Sequence, residues 1–149
     1  MDIRMAARED MNTVASLACR LWPRHTREEM LEEHTALQGD GRNAFFLAWV
    51  DGAAAGWAHV SLRHDYVEGT DHSPVGFLEA IYVEPECRRQ GVARALLAVC
   101  EEWAAAQGCL EFASDCELTN EQSQRFHRGV GFTEVNRIVC FVKPLEEGQ

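Results

Sequence analysis

The chain has 149 residues, 46% of them hydrophobic, enough for one globular domain with a real core and too apolar for intrinsic disorder. A formal net charge of -10 excludes nucleic acid as the main partner, because phosphate backbones need a basic surface; it serves solubility and suits a cationic substrate. No apolar run is long enough to span a bilayer, so no membrane partner is expected.

Residues 2–6 read as a short strand. Val14, Leu17, Ala18 and Leu21 repeat at helical spacing and predict a helix over 9–21, which Pro23 breaks. Thr26 with Glu29 three residues on is a capping box, and Met30, His34 and Leu37 mark the buried stripe of a second helix, stopped by Gly39 and Gly41. Ala44 to Val50 and Ala55 to Leu62 are strands joined by the hairpin signal Asp51-Gly52. Residues 64–74 are polar, contain Gly69 and Pro74, and form a loop. A strand over 76–83 follows, then a helix from about 89 to 107 with the stripe Val92, Leu96, Val99 and Trp103, closed by Gly108. Leu110 to Ser114 is a short buried strand. Thr119 with Gln122 caps a further helix ending near Gly129-Val130-Gly131-Phe132, and Glu134 to Val142 is the last strand. The order β-α-α-β-β-β-α-β-α-β predicts a single α/β domain over 1–149: a mixed central sheet with helices on both faces and one parallel crossover at its centre.

Cysteines stand at 19, 87, 100, 109, 116 and 140 with no Cys-x-x-Cys spacing. Cys19, Cys100 and Cys140 sit among apolar residues, as small core groups do. Met1-Asp2-Ile3-Arg4 lacks the apolar core of a signal peptide, so the expectation is a cytoplasmic protein with six reduced thiols and no metal.

The segment from Phe77 to Leu97 carries the strongest chemical signal. An apolar strand meets Glu84-Pro85, then Arg88-Arg89-Gln90-Gly91-Val92-Ala93, then an amphipathic helix. Unpaired backbone N–H groups at a helix start, with arginines beside them, bind phosphate. An ordinary basic helix start is the alternative. The pattern Arg-x-x-Gly-x-Ala is neither a P-loop nor a dinucleotide Gly-x-Gly-x-x-Gly. It resembles the pyrophosphate-binding motif of the GCN5-related N-acetyltransferases (GNAT), and Phe126-His127-Arg128-Gly129-Val130-Gly131-Phe132 resembles a second signature of that family. The resemblance implies the GNAT fold and acetyl-CoA as cosubstrate. Backbone groups of Ile81, Tyr82 and Val83 would pair with the pantetheine arm, and a strand N–H near Ile81 would stabilise the oxyanion. Amides of Arg89, Gln90, Gly91, Val92, Ala93 and Arg94 would hold the pyrophosphate, with Gly91 allowing close approach because it has no Cβ. Asn120 would hydrogen-bond the cofactor, cap a helix, or do both. His127 stands where many family members place a tyrosine acid; it either protonates the departing thiolate or is a helix-end histidine with no chemical task.

Glu79 interrupts an apolar strand, and a buried carboxylate is costly unless something pairs with it. Asp115 ends the next strand, and parallel neighbours would bring their C-terminal regions together. The two carboxylates form an ammonium site, or else a structural pair satisfied by backbone donors or Arg63. Leu21-Trp22-Pro23-Arg24-His25, Arg63-His64-Asp65-Tyr66-Val67, Phe77-Leu78-Glu79 and Ala113-Ser114-Asp115 resemble segments of the aminoglycoside 6'-N-acetyltransferases. That resemblance implies a drug site lined by Trp22, His25, Tyr66, Glu79 and Asp115, with Asn136 where close relatives can be acidic. Glu79 and Asp115 would orient the 6'-amine and help remove its proton, with no acyl-enzyme. The same resemblance implies a homodimer pairing through C-terminal strands, with which the alternation Val135, Arg137, Val139, Phe141 is compatible. The alternatives are an acetyltransferase for another amine, such as a polyamine or a protein N-terminus, and a silent acetyl-CoA sensor.

Overall fold

The computed structural model describes residues 1–146, so 147–149 of the expected domain lie outside the described residues. Two compact units are present, Met1–Asp115 and Cys116–Gln149. The first holds β1 (Asp2–Met5), α1 (Met11–Leu21), α2 (Arg27–Gln38), β2 (Asn43–Val50), β3 (Ala53–Arg63), β4 (Val75–Val83), α3 (Val92–Ala106) and β5 (Phe112–Ser114). The sheet has five strands in the order β1-β2-β3-β4-β5. Every pairing is antiparallel except that of β4 with β5, which α3 connects as a crossover.

Local chemistry explains most element boundaries. Asp51 at φ 50 and Gly52 at φ 79 give the β2–β3 hairpin the left-handed pair that a tight turn needs. The Thr26 hydroxyl accepts from the Glu29 amide at 3.1 Å and the Glu29 carboxylate accepts from the Thr26 amide at 2.9 Å, closing the capping box at the start of α2. The helix predicted from about 89 starts only at Val92, because Arg89 at φ 63 and Gly91 at φ 81 cannot belong to a right-handed helix. β5 starts at Phe112, two residues later than predicted, and Leu110 is exposed.

One core lies beneath α1 and α2. Met11, Val14, Leu17, Ala18 and Met30 pack on Phe45, Leu47, Trp57 and Ala80 of the sheet. α3 lies against β3 and β4 and buries Val92, Leu96, Leu97, Cys100 and Ala104. All six cysteines are free thiols, with Cys100 buried as expected, but Cys140 is exposed and is no core residue. No helix among the described residues is long and apolar enough to cross a membrane.

The second unit holds α4 (Glu121–Gly129). Its cap is Asn120, whose side chain accepts from the Ser123 amide at 3.1 Å, and not Thr119 one residue earlier. The predicted strand over 134–142 does not form: residues 133–146 adopt neither helix nor strand. Alternation says which side chains would share a face, but a strand also needs a partner, and the described residues of the second unit contain no strand to supply one.

Gly76 marks the tightest packing between α3 and the sheet. A Cβ there would stand 2.6 Å from Ala104 Cβ and 2.7 Å from Phe112 Cδ1. Gly76→Ala is therefore expected to lose about 1–3 kcal/mol by overpacking, read as a lower midpoint in urea denaturation. An unchanged midpoint would mean that α3 can move off the sheet at no cost.

Candidate active site

β4 positions the chemistry. Its register against β3 runs Val60 with Leu78 and then His59 with Ala80, leaving Glu79 unmatched. Glu79 is thus the extra residue of a β-bulge, a device that re-aims a side chain. Pairing of β4 with β5 also stops there: it covers Gly76 with Phe112, Phe77 with Ala113 and Leu78 with Ser114 only. The next residue on each strand is Glu79 and Asp115. β4 continues to Val83, and among the described residues no strand pairs with its outer edge over 79–83.

The Glu79 side chain is a quarter exposed, and both of its oxygens accept hydrogen bonds. Ser61 Oγ donates to Oε2 at 2.6 Å. Arg63 Nε donates to Oε2 at 3.0 Å and Nη2 to Oε1 at 2.8 Å, a two-pronged charged pair. The guanidinium carbon of Arg63 also lies 3.5 Å from the Phe77 ring centroid. Burial pushes the Glu79 pKa up, but the hydrogen bonds from Arg63 and Ser61 outweigh it, so the net direction is down. Glu79 is an ionised acceptor and a weak base.

Glu79 opens into a cleft of about 320 Å³ lined by Trp22, His25, Glu33, His34 and His59, with Met30 and Leu37 behind. The cleft is aromatic. Trp22, at the end of α1, stacks on His34 with centroids 6.0 Å apart, and His59 stacks on Phe45 at 4.3 Å. His34 Nδ1 donates to the Met30 carbonyl at 2.8 Å, and His59 Nε2 meets Asn43 Oδ1 at 2.7 Å. Burial above all lowers the His59 pKa to about 4; Glu79 opposes this, while His34 and Arg63 add to it. His59 is therefore neutral at physiological pH. Aromatic faces around a carboxylate suit a ligand with ammonium groups on a carbon skeleton.

The sequence-predicted substrate residues divide. Trp22, His25 and Glu79 come together in the cleft. Tyr66 is 75% exposed and Asp115 is exposed, both outside that lining. The loop bearing Tyr66 is nevertheless pinned. Val67 is buried against Val75 and Phe77, and the Glu111 carboxylate accepts from the amides of Asp71 and His72 at 2.8 and 2.9 Å. The sequence names Arg63 only as a structural partner of Glu79, a pair that forms, and assigns Glu33, His34, His59 and Ser61 no place in the site. His34 was legible only as part of a buried helix stripe. The alternation Trp57, His59, Ser61, Arg63 along β3 was the available signal, since it puts three polar side chains on one face beside Glu79.

The turn from Arg88 to Gly91 fits a pyrophosphate. No side chain caps the N-terminus of α3. Gly91 adopts a φ of 81, which favours glycine, and a Cβ there would stand in open space, so packing within the described chain does not demand the glycine. Arg89, Gln90 and Gly91 are exposed. Arg88 turns inward, with Nε donating to the Val83 carbonyl at 2.8 Å. Within the second unit, the Asn120 side-chain oxygen is committed to its cap. His127 Nδ1 lies 2.7 Å from the Ser123 carbonyl, which can only accept, so the neutral ring carries its proton on Nδ1. His127 could then donate from Nε2 only when charged. Asn136 is exposed and accepts from the Arg137 amide at 2.8 Å.

An open strand edge, an uncapped helix start and an adjoining cleft are the outline of an acyl-CoA-dependent transferase. A model of the Acetyltransferase (GNAT) family matches residues 10–132, and the chain belongs to that family. It is 46% identical over 145 residues to aminoglycoside N(6')-acetyltransferase type 1 of Stenotrophomonas maltophilia, covering 97% of this chain and 94% of that protein. The protein of the same name from Salmonella typhimurium is 41% identical over 143 residues, covering 96% and 99%. Among solved structures, AAC(6')-Iy in complex with the bisubstrate analogue CoA-S-monomethyl-acetylneamine superposes with a TM-score of 0.92 at 39% identity, covering 97% and 98%. Apo AAC(6')-IG from Acinetobacter haemolyticus gives a TM-score of 0.92 at 38% identity, covering 98% and 100%.

Burial of neutral His59 couples stability to pH. In the unfolded chain the ring ionises near 6.5, whereas in the fold it does so only at about 4. Between those values the unfolded state takes up a proton that the fold refuses, so stability falls as pH falls from 6.5 to 4; below 4 both states are protonated and the loss is complete. The full loss is on the order of 3 kcal/mol. Urea denaturation across that range should show a shallower pH slope for His59→Gln than for wild type; parallel slopes would refute the assignment.

Proposed function

We propose that this chain transfers the acetyl group of acetyl-CoA to the 6'-amine of aminoglycosides. The observation that carries the reading is the double use of β4: the bulge turns Glu79 into an aromatic cleft, while no strand among the described residues pairs with its edge over 79–83. The relatives named above act on aminoglycosides by name, and one was solved with a CoA-linked drug analogue.

Acetyl-CoA supplies an activated acetyl thioester. Backbone groups of Ile81, Tyr82 and Val83 would pair with its pantetheine arm, and the turn from Arg89 to Arg94 would hold its pyrophosphate. Trp22, His25 and Tyr66 hold the drug, and Glu79 and Asp115 orient its 6'-ammonium. The ammonium gives one proton to solvent, and its nitrogen then bonds to the acetyl carbon as the carbon–sulfur bond breaks. The amine's second proton and the thiolate's need for one balance, so an amide, a thiol and one released proton result. Asn120 is assigned to cofactor contact, Asn136 to the drug, and His127, in its charged form, to an auxiliary acid role. The whole chain acts as one catalytic domain in the cytoplasm, a reading supported by a family match that runs through both units. A thiol-release assay tests the proposal. A 6'-amino drug should be turned over and a 6'-hydroxyl analogue should not. Asp115→Asn should lower kcat/KM about tenfold or more while acetyl-CoA affinity stays within about twofold. Absence of turnover with 6'-amino drugs overturns the assignment.

The protein works as a homodimer. Support comes from the C-terminal segment, where Phe141 is 91% and Val142 94% exposed, and from the three-residue β5 at the sheet edge. Sedimentation at micromolar concentration should give about twice the 16.8 kDa chain mass; a stable monomer rules pairing out.

A further inference from the structure

Acetylation needs a free amine, yet a site built from carboxylates favours the ammonium. Two negative groups around a cation raise its pKa and so oppose the proton loss that frees the lone pair. A group beside the cleft acts the other way. Arg63 grips both oxygens of the cleft-lining Glu79, and its guanidinium carbon lies 3.5 Å from the Phe77 ring centroid, so its charge is held next to the carboxylate. Oε2 already receives Ser61 Oγ and Arg63 Nε, whereas Oε1 receives only Arg63 Nη2. A carboxylate oxygen has room for a second donor, so Oε1 is where an incoming amine binds. An ammonium at that oxygen shares one carboxylate with a guanidinium, and the two cations stand within about 6 Å of each other.

We infer that Arg63 is a positioning residue for the acceptor amine: by holding Glu79 and opposing a second positive charge beside it, it favours the unprotonated, nucleophilic amine. The inference rests on the aminoglycoside reading above. The other charged and titratable groups around the pair act in both directions, the carboxylates favouring the ammonium. From β3, His59 is neutral. From α2, His34 is tied to the Met30 carbonyl, and Glu33 lines the cleft. From the turn before α2, His25 faces Glu29 at 3.6 Å. Asp115 follows β5. With Arg63 present, Glu79 and Arg63 cancel; without it the amine meets an uncompensated Glu79. The proton lost goes to solvent, and no other group changes its covalent state.

Arg63→Met keeps much of the apolar stem and removes the charge, and Arg63→Lys keeps the charge without the fork. The pH profile of kcat for a 6'-amino drug should rise at a pH about one unit higher in Arg63→Met than in wild type, while Arg63→Lys stays near wild type. Calorimetry of drug binding without acetyl-CoA, in two buffers of different ionisation heat, should count more protons taken up per drug bound by Arg63→Met. Wild type that acetylates the drug, with an Arg63→Met profile and proton count unchanged, overturns this inference alone. Wild type that acetylates a different amine overturns the drug assignment, and the same shift on that amine then decides for or against Arg63. Wild type without turnover of any amine overturns both. If Arg63→Met does not fold, Arg63→Gln is read by the same two measurements.

Discussion

The short parallel pairing of β4 with β5 is the constraint on which the rest depends. A parallel pair needs a crossover, and α3 supplies it by packing so closely that Gly76 admits no Cβ. Pairing is held at that end, over residues 76–78, and lapses at the other. The bulge falls at the point where pairing lapses, so the strand leaves the ladder and redirects Glu79 within one residue. An isolated polar backbone edge in a protein interior would be a cost. At a surface cleft it is a template, and backbone donors and acceptors of a pantetheine arm are what such a template takes.

The second constraint is electrostatic. Glu79 is placed where burial pushes its pKa up and so favours the neutral acid, a poor anchor for an ammonium. Ser61 and Arg63 reverse that outcome with three short hydrogen bonds. The two readings left open for Glu79, ligand site or structural pair, are therefore not exclusive: the structural pair keeps the carboxylate charged, and its less occupied oxygen remains for a ligand. His59 shows the opposite solution. It is buried without a charged partner bonded to it, and it stays neutral. A neutral ring there adds aromatic surface to the cleft without adding positive charge.

Periodicity and caps made most of the fold legible. The helix stripe of α1, the reciprocal Thr26–Glu29 cap and the Asp51-Gly52 hairpin are local signals, and local signals survive into the structure. Glu79 was legible because a lone carboxylate in an apolar strand demands a partner. The bulge was not, since it depends on which residues of β3 and β4 face each other. His34 is obscured for a related reason: it sits in a buried helix stripe, where a histidine reads as core, and only its ring contacts with Trp57 and His59 of β3 make it a wall of the cleft. α3 starts later than its apolar stripe predicts because two left-handed residues, one of them the non-glycine Arg89, delay it.

The predicted last strand fails for a different reason. Val135, Val139 and Phe141 have the alternation of a half-buried strand, and that alternation is real information about a face. It carries no information about which edge would receive it. Among the described residues of the second unit no strand receives it. A segment patterned for burial needs a partner edge, and the homodimer proposed above would supply one from a second copy. The last strand and the proposed pairing are thus one physical question: the residues that would complete the first are those on which the second rests.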